Sequence, residues 1–143
     1  MAIVATSSNL KLNVIRFKKG EDIFNQIKEV AYKIGIKSAF FFGIGTFQKL
    51  KIAYYNQKTL KYEEAEFNRE VEITSLIGDI SLDGNEIFIH CHVTISDKDM
   101  NAHGGHLLPG SITFAGEALI IEISDIELKR KFDSETGLRI LES

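Results

Sequence analysis

Glu70–Ser96, EVEITSLIGDISLDGNEIFIHCHVTIS, holds two apolar-rich runs joined by Asp83-Gly84-Asn85. Glycine and asparagine accept the positive φ of a tight turn, so the stretch predicts a hairpin of strands 70–82 and 86–96. In the second run Ile87, Ile89, Cys91, Val93 and Ile95 alternate with Phe88, His90, His92 and Thr94. A period of two sends the first set to a buried face and the second to the opposite face. A β-rich fold follows, with a histidine pair on the face turned away from the core.

Outward from this hairpin, Leu10–Phe17 reads as a strand whose apolar face Arg16 interrupts. Gly20-Glu21-Asp22 opens a helix in which Ile23, Phe24, Ile27, Val30, Ala31 and Ile34 form one stripe, and Gly35 marks its stop. Acidic residues in the first turn are expected to complement the helix dipole. Ala39-Phe40-Phe41-Phe42 reads as a short buried strand, followed by a tight connection at Gly43-Ile44-Gly45. Leu50–Tyr55 and Leu60–Phe67 flank the polar turn Asn56-Gln57-Lys58-Thr59, a second hairpin, and Glu117–Ile126 is a further strand. One main helix among about seven strands joined mostly by turns predicts an α+β fold with a largely antiparallel sheet.

The chain has 143 residues, a single proline at position 109 and no Gly/Ser-rich linker, which favours one domain, residues 1–143. Its core is expected over about residues 10–126, with 127–143 as a C-terminal tail. No run approaches 18 apolar residues, so a membrane span is not expected. Met1–Thr6 lacks the basic and long apolar regions of a secretory leader. The single cysteine, Cys91, permits no internal disulfide and suits a reducing compartment, so a cytoplasmic location is expected. Seventeen basic against twenty acidic residues give a net charge of −3, which disfavours general attraction to nucleic acid. The short basic runs Lys18-Lys19 and Lys129-Arg130-Lys131 read as solvated surface.

All four histidines fall between residues 90 and 106. On one strand face, His90 and His92 stand about 6.6–6.8 Å apart, close enough for two imidazoles to converge on one ion. His106 follows Gly104-Gly105, where the backbone is free to turn sharply and aim the ring at the pair. Three neutral histidines with an open fourth position are the ligand set of catalytic zinc sites, and imidazole also suits iron, nickel and copper. A divalent transition metal is therefore expected, with zinc the first choice. Cys91 points the other way and reads as a small core residue. Asp97-x-Asp99-x-Asn101 imitates the start of a calcium loop, but Ala102 and Leu108 stand where glycine and glutamate are needed, so a polar turn is expected. Nucleophile-elbow and Walker sequences are absent.

Arg16-Phe17-Lys18-Lys19-Gly20-Glu21-Asp22, Gly43-Ile44-Gly45, Ser75-Leu76-Ile77-Gly78-Asp79-Ile80-Ser81, His90-Cys91-His92-Val93, Gly104-Gly105-His106-Leu107 and Ala115-Gly116-Glu117 occur in this order. Together they resemble the PPC (plants and prokaryotes conserved) domain, in its stand-alone prokaryotic form. The resemblance implies a half-barrel sheet, a homotrimer, and a metal held at His90, His92 and His106, with His103 outside the ligand set. It also marks Glu117 as a candidate catalytic carboxylate or a partner orienting a histidine. Arg16 is a candidate for binding a substrate carboxylate, since its fork suits bidentate contact. The function expected is that of a metal-binding trimer with a small-molecule or catalytic role. The alternative is a DNA-binding or regulatory module acting as an oligomer. Plant relatives join the domain to AT-hooks, whereas this chain has no Arg-Gly-Arg-Pro hook.

Overall fold

The computed structural model describes residues 5–142, and Met1–Val4, read above for a leader, lie outside the described residues. Nine strands and one helix follow in the order β1 (Leu10–Phe17), α1 (Ile23–Ile34), β2 (Ala39–Asn56), β3 (Lys61–Phe67), β4 (Val71–Asp83), β5 (Glu86–Ser96), β6 (Ala102–Leu107), β7 (Ile112–Ile123), β8 (Lys129–Asp133) and β9 (Leu138–Leu141). The α+β expectation with a largely antiparallel sheet agrees with this: every strand pairing is antiparallel except that of β4 with β8. Nine strands replace the expected seven because 39–42 and 50–55 are one strand, while 102–107, 129–133 and 138–141 form three more.

The long β2 results from its glycines. The sequence reading ended a strand at Gly43-Ile44-Gly45; instead the strand runs through, and its register against β4 shifts between Gly43 and Gly45. Gly45 has φ of 154°, and a Cβ there would collide with the backbone of Ala115 and Gly116 on β7. The bulge bends β2 without breaking it. Its first half pairs with β4 and its second half with β6, so the pairings β2–β4, β4–β5, β5–β6 and β6–β2 form a closed circuit. Leu50, Ile52, Leu76, Ile80, Val93, Ile95 and Leu107 fill the inside.

β5 keeps the expected alternation: Ile87, Ile89, Cys91, Val93 and Ile95 are all buried. α1 covers this inner face with Ile23, Ile27 and Ala31, all fully buried. Its N-cap is Asp22, whose side chain accepts from the Asn25 N–H, and its C-cap is Gly35 at φ 76°. The acidic residues act at the cap, and none lies in the first turn. On the outer face, Val14, Leu119, Phe42, Ile77, His92 and His106 are successive register partners across six strands. Phe40 and Phe42, read as buried, are exposed on this face, and only Ala39 and Phe41 of that run enter the core.

Residues 127–143, expected as a tail, contain β8 and β9, which make a hairpin anchored on β4. Leu128 is buried, its N–H donates to Ser38 Oγ at 2.7 Å, and its carbonyl accepts from the Leu82 N–H at 2.8 Å. Among the described residues no helix is long and apolar enough to cross a membrane.

Candidate metal centre

The hairpin turn sets the register of β4 against β5, and β5 carries His90 and His92 on the outer face. β6 then lies beside β5 with His106 directly opposite His92. Gly104-Gly105 achieves this by close approach, and no turn occurs there. A Cβ on Gly104 would stand 2.8 Å from the Val93 carbonyl oxygen, and one on Gly105 would stand 2.8 Å from that of Ala53. Only glycine lets β6 fit between β5 and β2 at this point.

One ring nitrogen from each of His90, His92 and His106 lies within 4.8 Å of the others. The ring centroids are 5.0, 5.3 and 5.4 Å apart, with His92 edge-on to the other two. Burial pushes the His106 pKa down to about 4, helped by the neighbouring His90 and then His92. Burial, with His90 second, also lowers that of His92. Both rings are thus neutral near pH 7, the form that ligates metal. Among the described residues no fourth histidine, cysteine or carboxylate completes the group.

Two neighbours that the sequence reading passed over support the rings. Asp79 stands opposite His90 on β4, with Oδ2 3.4 Å from His90 Nδ1. Arg130 of β8 donates from Nη2 to both Asp79 oxygens at 2.9 and 2.7 Å, and from Nε to Ser81 Oγ at 2.8 Å. Burial alone would raise the Asp79 pKa, but hydrogen bonds from His90, Arg130 and Ser81 outweigh it and hold the carboxyl below its ordinary value. Arg130, read as solvated surface, is therefore a buried ion-pair partner. On the other side Tyr62 lies against His106 at 5.0 Å between centroids, and Tyr55 against Tyr62 at 4.9 Å.

The remaining candidates sit elsewhere. Arg16 and Glu117 are cross-strand partners on β1 and β7 and are both exposed, with β2 and β4 between Glu117 and the histidines of β5. His103 contacts Asp97 at 3.3 Å and the Phe67 ring, and does not join the trio. Cys91 is buried, and burial pushes its thiol pKa up to about 12, so no thiolate is offered near pH 7. Asp97 accepts from the N–H groups of Asp99 and Asn101, the expected polar turn. A cavity of about 420 Å³ opens beside His92 and His106, bordered by Ala53, Tyr54, Tyr55, Thr94 and Gly105. A slightly larger one, about 480 Å³, lies at the Asp97 turn beside Phe47 and Phe114, away from the three rings.

The chain is 31% identical to a metal-containing protein of Archaeoglobus fulgidus, whose crystal structure matches with a TM-score of 0.92 over 100% of both chains. It is 26% identical to a Bacteroides thetaiotaomicron protein named as a candidate DNA-binding protein, with a TM-score of 0.85 over 92% of this chain and 91% of that one. Among curated proteins it is 23% identical over 134 residues to the bifunctional protein GlmU of a Synechococcus strain, covering 90% of this chain. The chain spans about a fifth of the length of the GlmU proteins that it matches. A family model for the Plants and Prokaryotes Conserved (PCC) domain matches residues 4–124, a span that includes all three clustered histidines and the paired glycines that bring His106 to the other two. The chain belongs to that family.

Proposed function

We propose that this chain is a metal-binding protein whose three-histidine site serves small-molecule binding or metal-dependent catalysis. The observation that carries the reading is the convergence of three ring nitrogens, from two adjacent strands, within 4.8 Å. Tetrahedral zinc bonded to nitrogen at 2.0–2.1 Å sets its ligand nitrogens about 3.3 Å apart, so modest ring rotations bring this donor set onto one ion. His90, His92 and His106 would hold it, and zinc is the first choice because neutral imidazoles suit it well. When bound, such an ion with an open position polarises a carbonyl or lowers the pKa of a ligated water. A similar protein named as metal-containing supports the reading. The cavity beside His92 and His106 offers room for a small molecule, with Tyr54 and Tyr55 among the residues that border it.

A homotrimer belongs with this reading. Leu12, Val14, Phe40, Phe42, Ile44 and Ile77 are exposed together on the outer face, the kind of contiguous apolar surface that copies of a chain bury. In such an assembly Arg16 and Glu117 are candidates to meet another protomer's site, Arg16 as a carboxylate anchor and Glu117 as a proton-moving carboxylate. The closed circuit of β2, β4, β5 and β6, extended by β7 and β1, supports the half-barrel form of the sheet. The core over residues 10–126 with a C-terminal extension forms one domain in this reading, and the reduced Cys91 suits a cytoplasmic setting.

The test is elemental analysis combined with sedimentation on protein purified without chelators. The expected result is about one transition metal per chain in a trimeric species, lost in the His90→Ala/His92→Ala double variant. Full occupancy in that variant overturns the site. A DNA-binding role, suggested by the name of one similar protein, requires duplex binding that falls steeply with salt. The net charge of −3 sets this second reading behind the first.

A further inference from the structure

The C-terminal hairpin lies outside the residues matched by the family, 4–124, yet it reaches both flanks of the histidine cluster. At one flank Arg130 crosses the outer face of β4, its side chain 6% exposed, and grips Asp79, 8% exposed. Its guanidinium also lies over the Phe88 ring at 5.0 Å and donates through Nη1 to the Arg139 carbonyl at 2.8 Å. With Ser81, Phe88 and the Arg139 carbonyl all engaging it, the guanidinium is fixed in place and clamps Asp79. At the other flank the Tyr55 hydroxyl donates to the Thr136 carbonyl at 2.7 Å, and Tyr55 carries the stack through Tyr62 to His106.

The Asp79 carboxylate contacts His90 at Nδ1. A proton on Nδ1, shared with Asp79, leaves the Nε2 lone pair for an ion. A carboxylate behind a ligating histidine fixes the tautomer and ring orientation and raises its basicity. Arg130 Nη2 also comes within 3.4 Å of Nδ1, but a guanidinium cannot accept, so in the tautomer that frees Nε2 the Nδ1 proton goes to Asp79. We propose that the C-terminal hairpin sets the metal affinity of the site, with Arg130 as the positioning residue that holds Asp79 and, through it, the ring of His90. This inference rests on the three-histidine reading.

The experiment is titration of the full-length apo-protein with Co²⁺, followed by its visible d–d absorption. The variants are Arg130→Lys, Arg130→Met, the charge-neutral pair Arg130→Met/Asp79→Asn, and Arg139→Met as control. Arg139 belongs to the same hairpin but pairs with Asp83 at 2.6 Å, away from the rings. Arg130→Met and the double variant are expected to bind Co²⁺ about 10–100-fold more weakly, with an altered band shape. Arg130→Lys, which keeps the charge but loses the fork, falls between these and wild type, while Arg139→Met matches wild type. Removing Arg130 alone strands a buried carboxylate, and the double variant keeps the test decisive if that variant does not fold. Wild-type affinity and spectrum in folded Arg130→Lys and in the double variant overturn this inference and leave the site intact. A wild-type protein that takes up no Co²⁺ overturns both.

Discussion

His90 and His106 face each other across the site, 5.3 Å between centroids, and are held there by opposite means. His106 is placed by backbone: two glycines let β6 fit between β5 and β2, and buried Leu107 fixes the strand beyond it. His90 is placed by side chains: a buried carboxylate behind its ring, held by an arginine 40 residues away along the chain. The first support is steric, local and continuous with the core. The second is electrostatic and comes from an element whose strand pairing with the rest of the sheet, among the described residues, is the short parallel one with β4. A steric support fails through the fold itself, whereas an electrostatic one, when both charges are removed together, fails at the site while the fold survives.

The contrast is tested most harshly at Gly105. A methyl added there meets the Ala53 carbonyl oxygen at 2.8 Å, and that oxygen belongs to the central strand β2 and has no free rotation. Gly105→Ala is expected to cost about 3 kcal/mol of stability, the upper part of the range for over-packing. Urea unfolding of the metal-free protein reads this directly, and metal affinity is expected to fall in parallel. A Gly105→Ala protein of wild-type stability breaks the claim that close approach positions His106.

A smaller effect, at His106, is read through pH. The His106 pKa, about 4 when folded, compares with about 6.5 for an unperturbed histidine. Below pH 6.5 the unfolded chain takes up a proton that the folded chain refuses, so this contribution is complete above 6.5 and is lost as pH falls toward 4. After discounting for the part of the ring that solvent screens, the loss is about 1–2 kcal/mol. Metal-free wild type is therefore expected to lose stability over pH 6.5–4 more steeply than His106→Gln, as read by chemical unfolding at several pH values. Equal slopes for the two proteins contradict the assignment of burial to His106. Metal binding weakens over the same interval, since protons compete for the rings.

The two supports also differ in how far the sequence discloses them. Alternation from Ile87 to Ile95 separates the core face from the histidine-bearing face correctly, because a period of two leaves no other arrangement once one face is apolar. Gly104-Gly105-His106 is visible as a signal, although a turn is the natural reading of paired glycines and close packing is the actual use. Asp79 was within reach: counting outward from Asp83-Gly84-Asn85, residues 79 and 90 pair across the hairpin, as they do. Arg130 was not. Between two lysines it has the signature of solvated surface, and only the return of the chain to β4 buries it. The same limit hid the continuity of β2, since bulged glycines and connecting glycines look alike before their partner strands are known.

The finest test lies on the His106 side, where the hairpin also reaches through Tyr55 and Tyr62. Tyr62 is partly exposed and contributes an aromatic face to His106 and no hydrogen bond to it. Such aromatic contacts contribute about 0.5–1.5 kcal/mol beyond the area they bury. Tyr62→Leu keeps most of the volume and removes the ring, so apo-protein stability is expected to drop by about 0.5–1 kcal/mol. Metal affinity is expected to fall only about twofold to fivefold, because the glycine-packed backbone still holds His106 in place. The informative quantity is the ratio to Arg130→Met in the same Co²⁺ titration. A Tyr62→Leu loss as large as that of Arg130→Met would mean that side chains, and not the backbone of β6, hold both histidines, and the distinction between the two flanks would disappear.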